Sequence, residues 1–168
     1  MLRFAFARRL TQALGLNSMS PPVRAYVTCF SIAMVFFLVS TLISDVIART
    51  TIGSEGLGYA ISQHAYYAVT QPIGTGMLLV PFLLVAWMAS SVARRKTVRR
   101  GIVFLCITCS VLALMYFLAY QDSQQYMAQR MWTAATLAIG FLAFKSVPVL
   151  IVALVTFLIM RRGPRVEP

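Results

Sequence analysis

Charge is scarce in this sequence, and acid scarcest of all. Of 168 residues, 4 are Asp or Glu, 1 is His and 3 are Cys. Charged residues make up 11% of the chain, against roughly 25% in a soluble domain. So few acids leave no paired carboxylates for acid–base work and make hydrolytic chemistry improbable. Neither a Gly-rich phosphate loop nor a Ser/His/Asp arrangement is visible. One histidine, His64, cannot supply the two axial imidazoles of a membrane b-haem. A metal site would have to draw Glu55 or Asp122 from separate segments, with no ligand spacing to support it. The expectation is a chain that is not an enzyme and carries no cofactor or metal.

What the sequence has in excess is apolar residues, at 60%. A soluble protein of this size could not hide that much apolar surface, so most of it must face lipid or other helices. Four apolar runs of membrane length stand out, at residues 25–47, 72–93, 101–120 and 132–160. The segments between and around them are too short for a soluble catalytic domain. The fold class is therefore an all-α integral membrane protein, a single domain with four transmembrane helices. Short polar connections favour an up-down bundle.

The net charge of +11 could point to nucleic acid, but its distribution does not. Arg3, Arg8, Arg9 and Arg24 precede the first run. Arg94, Arg95, Lys96, Arg99 and Arg100 lie in or beside the basic hairpin 94–100, and Arg161, Arg162 and Arg165 follow the last run. Twelve of the 15 cations thus fall on one side of a four-helix topology, whereas Asp45, Glu55 and Asp122 fall near or in the opposite loops. This is the positive-inside pattern, with both termini cytoplasmic. The hairpin cations are read as contacts for anionic lipid headgroups, each contributing about 1 kcal/mol near the surface. Arginine outnumbers lysine heavily, which favours a bacterial inner membrane. The first run exceeds the about 7–15 residues of a signal-peptide core and reads as a retained anchor.

Within this frame, residues 1–20 read as a cytoplasmic amphipathic segment, with Leu2, Phe6, Leu10, Ala13 and Leu14 on one arc. Ser20 and Pro21 can open the first span. In the outer loop 48–71, Leu57, Ile61, His64, Ala65 and Ala68 recur at helical spacing beside Tyr59, Tyr66 and Tyr67, predicting a short interfacial helix. Pro81 and Pro148 should kink their helices. Ala86-xxx-Ser90, Ala89-xxx-Ala93 and Ser40-xxx-Ser44 are spacings that let backbones approach closely.

Two constellations carry the sharper hypotheses. Cys106 and Cys109 form C-x-x-C, the spacing of a thiol oxidoreductase working with quinone, with Cys29 at similar depth. They sit toward the cytoplasmic end with no fourth cysteine and no cation close in sequence to activate a thiol. Buried cysteine acting as a small hydrophobe accounts for them better. Lys145, inside the fourth run, is costly in lipid and so is a functional candidate by default. The run 132–160 would be about 42 Å long as one helix, too long for a core of about 30 Å without excessive tilt. Measured from Arg161, Lys145 falls roughly 6 Å inside the opposite boundary, within snorkelling reach. Asp45 is the acid at comparable depth, so a Lys145–Asp45 ion pair or water-bridged contact is predicted, with Arg49 one turn away as the competing partner. Pro148 should bend this helix without breaking it. The apolar stretch 131–144 would then project beyond the lipid and need cover, which makes it a docking surface.

The functional expectation is a small non-enzymatic membrane subunit or accessory protein. Its partners would be membrane lipids and other membrane proteins, or copies of itself, and not nucleic acid. A small transporter or channel component using Lys145 and Asp45 is the first alternative, and the thiol–quinone enzyme the second.

Overall fold

A computed structural model describes residues 20–162, which form helices α1 (Pro21–Thr51), α2 (Leu57–Thr70), α3 (Pro72–Arg95), α4 (Val98–Ala128), α5 (Trp132–Gly140), α6 (Leu142–Lys145) and α7 (Val147–Arg162). Four stretches are long and apolar enough to cross a membrane: Pro22–Thr51, Pro72–Arg95, Val98–Ala128 and Leu142–Arg162. The chain is an all-α membrane protein built on these spans. The amphipathic segment expected over 1–20 lies, apart from Ser20, outside the described residues. Ser20 occupies the N-cap of α1 without a side-chain hydrogen bond, and proline at the first positions starts the helix, where a missing N–H costs nothing.

Helices α1, α3 and α4 pack against one another and hold the core. Its middle is a stack of rings, one from each helix. Phe37 of α1 meets Phe82 of α3 edge-on at 5.6 Å, and Phe82 meets Tyr116 of α4 edge-on at 5.3 Å. Edge-to-face contact suits the ring quadrupoles and adds to the burial of the rings themselves. The Tyr116 hydroxyl, buried in this stack, donates to the Leu78 carbonyl at 2.6 Å. That carbonyl lies in the turn before Pro81, which stands inside α3 and is itself buried. A proline disturbs the carbonyls one turn before it, and a hydroxyl from the next helix fills that turn.

The basic hairpin between α3 and α4 depends on small residues. Ala86, Ala89, Ser90 and Ala93 are all buried on α3. Gly101 of α4 comes so close that an added Cβ would stand 2.7 Å from both the Ala89 carbonyl oxygen and the Ala93 Cβ. The small-residue spacing therefore sets the helix separation here.

The fourth apolar run departs from expectation. It is divided at Phe141 and Ser146 rather than continuous over 132–160. Pro148 cannot donate to the Phe144 carbonyl, so the ladder falters at Ser146, although Leu150 N–H still reaches Ser146 O at 3.0 Å. The second division comes from packing. Arg130 takes a left-handed turn (φ 60°) after α4, and α5 folds back along α4. Ala135 and Ala138 are buried there, and the buried Ser123 hydroxyl donates to Ala135 O at 3.1 Å. The span proper is Leu142–Arg162, 21 residues or about 31 Å, which fits the bilayer core. The mismatch of length is thus resolved by a fold-back, and α7 leans chiefly on α3.

Candidate functional site

The main polar cluster is built where α1 ends and the chain reverses into α2. Gly53 sits where a Cβ would press to 2.8 Å from the Arg49 carbonyl oxygen, and Ser54 follows with φ 54°. Glu55 N–H then donates to Arg49 O at 3.0 Å. This turn demands a glycine and a small polar residue, and "GSEG" supplies them. It swings Glu55 onto Arg49 and returns α2 alongside α1.

Asp45 is the centre of the cluster, with its side chain only 6% exposed. Arg49 Nε donates to its Oδ1 at 2.9 Å, and His64 Nδ1 lies 3.0 Å from its Oδ2. The imidazole donates in this contact in the tautomer that carries the proton on Nδ1. Arg49 Nη1 also reaches Glu55 Oε2 at 3.4 Å, and its guanidinium stands 5.6 Å from the Tyr67 ring centroid. Tyr120 of α4 is buried within electrostatic range of Asp45 and Arg49. The arrangement holds a carboxylate, a guanidinium and an imidazole rigidly across two helices. It engages both carboxylate oxygens, and burial of the side chain keeps the remaining acceptor sites from a solvent-borne substrate.

The salt-bridge partners of Asp45 are thus Arg49, the competing partner expected, and His64, and none is formed with Lys145. Asp45 satisfies itself with the neighbour one turn on and with a histidine from the returning helix, both of which need less reach than a lysine on the far span. Lys145 is exposed at the start of the Leu142–Arg162 span, with no salt bridge among the described residues. About 5 Å of helix separates it from Leu142, so its ammonium can leave the lipid by snorkelling. The sequence did contain a signal for His64. Asp45 lies six residues before the end of α1 and His64 seven after the start of α2, so a chain reversal brings them level.

At the opposite end of the molecule the cations gather. Arg94 donates to the Tyr26 hydroxyl and stands over its ring, 4.3 Å from the centroid. A cavity of about 320 Å3 there is lined by Tyr26, Trp87, Arg94, Arg95, Phe157 and Arg161 among others. Lys96 is half-buried in the hairpin, and Arg99 and Arg100 are exposed at the start of α4. All five predicted headgroup cations thus share the end where α1 begins, α3 ends and α4 begins.

Cys29 and Cys109 are buried in the apolar core, whereas Cys106 is half-buried, and all three are free thiols. Among the described residues no group of three His, Cys, Asp or Glu side chains is placed to hold a metal ion. Compared with protein families, curated proteins and solved structures, the chain matches none of them.

Proposed function

We propose that this protein is a small non-enzymatic subunit or accessory protein of a bacterial inner membrane, which acts by binding other membrane proteins. One observation carries the reading. Helix α5, with 9 residues, is too short to span a bilayer and packs on α4 along one side, and Trp132, Leu137 and the following Phe141 are each about half exposed or more. Exposed apolar and aromatic side chains on a folded-back helix suit a protein contact.

The topology that goes with it places the basic end, and with it both termini, in the cytoplasm. The polar cluster and α2 then lie at the outer surface, with Tyr59, Tyr66 and Tyr67 among the headgroups. The test is photo-crosslinking from positions 137 and 141 in native membranes, followed by purification in mild detergent. A discrete adduct with one membrane protein, or with a second copy, is the expected result. A monodisperse monomer without adducts from either position overturns the reading.

A transporter component has one observation in its favour, the charged cluster at Asp45 inside a candidate span. A polar path from it would have to pass Phe37, Phe82, Tyr116 and Leu112, which pack the space between α1, α3 and α4. Burial of Cys109 and Cys29 likewise weighs against thiol exchange with quinone, which needs an accessible sulfur.

A further inference from the structure

Between α4 and α7 the bundle parts. Pro148 turns α7 and its buried residues, Ala153 and Phe157, serve the core it shares with α3, where Phe157 packs 6.1 Å from the Trp87 ring. The face of α4 toward α7 is left with a groove of about 860 Å3. Val103, Ile107 and Val111 line it from α4, and Val149, Val152 and Met160 from α7. Thr97, Arg99 and Arg100 close one end. The groove is thus apolar for most of its length and cationic at a single mouth.

We propose that this groove is a binding site for one anionic phospholipid, with an acyl chain along the apolar wall and the phosphate between Arg99 and Arg100. Charge complementarity supports this occupant. No acidic side chain among the described residues forms a salt bridge with either arginine. The three described acids, Asp45, Glu55 and Asp122, belong to the far end of the bundle. From Thr97 to Val111 the groove runs about 21 Å along α4, the scale of one bilayer leaflet.

A second copy of this chain in the same orientation would bring cations against cations at the mouth. The inference needs the chain to be membrane-embedded and is independent of the proposed protein partner.

The experiment is native mass spectrometry of the delipidated full chain, titrated with phosphatidylglycerol or with zwitterionic phosphatidylethanolamine. One phosphatidylglycerol is expected to bind and to survive activation that strips phosphatidylethanolamine. Arg99→Gln with Arg100→Gln should weaken phosphatidylglycerol about 30-fold and leave phosphatidylethanolamine unchanged. Ile107→Trp, which fills the groove, should abolish the adduct. Arg161→Gln with Arg162→Gln removes the same charge outside the groove and should leave binding intact. Circular dichroism checks that each variant stays folded, and Val152→Trp replaces Ile107→Trp if the latter does not.

Three results overturn the proposal. The first is equal loss in the two arginine pairs, which means diffuse attraction to the basic end. The second is retention of phosphatidylglycerol by both tryptophan variants. The third is glycerol phosphate binding as tightly as the lipid, which means a free phosphate site without an acyl chain.

Discussion

His64 Nδ1 lies 3.0 Å from Oδ2 of Asp45, and this contact ties α2 to the buried end of α1. Arg49 takes the other oxygen of the same carboxylate. Removing Asp45 leaves a guanidinium only 12% exposed, with Glu55 as its remaining acid. Asp45→Ala should therefore cost about 3 kcal/mol, the low end for breaking a buried pair. His64→Gln should cost about 1 kcal/mol, since it sacrifices one hydrogen bond and leaves the ion pair. Thermal unfolding in detergent reads both, and equal losses would contradict this division of roles.

The ring stack gives a second prediction. Tyr116→Phe removes the hydroxyl bonded to Leu78 O and keeps the edge contact with Phe82. The cost should be about 0.5–1.5 kcal/mol. Tyr116→Ala also empties the centre of the three-helix core and should cost about 3–5 kcal/mol. If the two variants melt together, the stack contributes nothing beyond its hydroxyl.

Glycine replacement separates close packing from mere helix propensity. At Gly101 a methyl group meets the backbone of Ala89 and the side chain of Ala93 at 2.7 Å. Gly101→Ala should destabilise by about 1–3 kcal/mol through overpacking. At Gly140 nothing lies within 4 Å of the added carbon, so Gly140→Ala should be neutral or stabilising by up to about 1 kcal/mol. Paired melting curves decide it, and the reverse order is not compatible with the close approach of α3 and α4.

Much of the fold was legible in composition and spacing, because lipid imposes long apolar helices and charge marks their ends. A close helix approach at Ala89 and Ala93 follows from the small-residue pattern, though not that Gly101 is what meets them, and the helix over 57–70 follows from its periodicity. The division of the fourth run was not legible. Hydropathy sees residues 132–160 as one stretch, whereas the break at Phe141 follows from Ala135 and Ala138 finding α4, a contact distant in sequence from the proline. At the polar cluster the i,i+4 pair of Asp45 and Arg49 was visible. The role of His64 required knowing that the turn at Gly53 and Ser54 sends α2 back along α1, which is a matter of backbone geometry rather than of residue type.

The two cysteines of C-x-x-C should behave differently. Cys109 is fully buried and Cys106 is half-buried. Cys109→Ser places a hydroxyl in an apolar core and should cost about 1–3 kcal/mol, with Cys106→Ser near neutral. Growth of cells carrying Cys106→Ser alone should match the parent strain. A defect in that strain at normal protein levels would restore a redox role.

The hairpin at the basic end has a consequence for biogenesis. Two residues, Lys96 and Thr97, join α3 to α4, and so short a link reaches at most about 7 Å per two residues of extended chain. The tail of one span and the head of the next therefore stay adjacent once both are made, so the seam at Gly101 needs no long search to close.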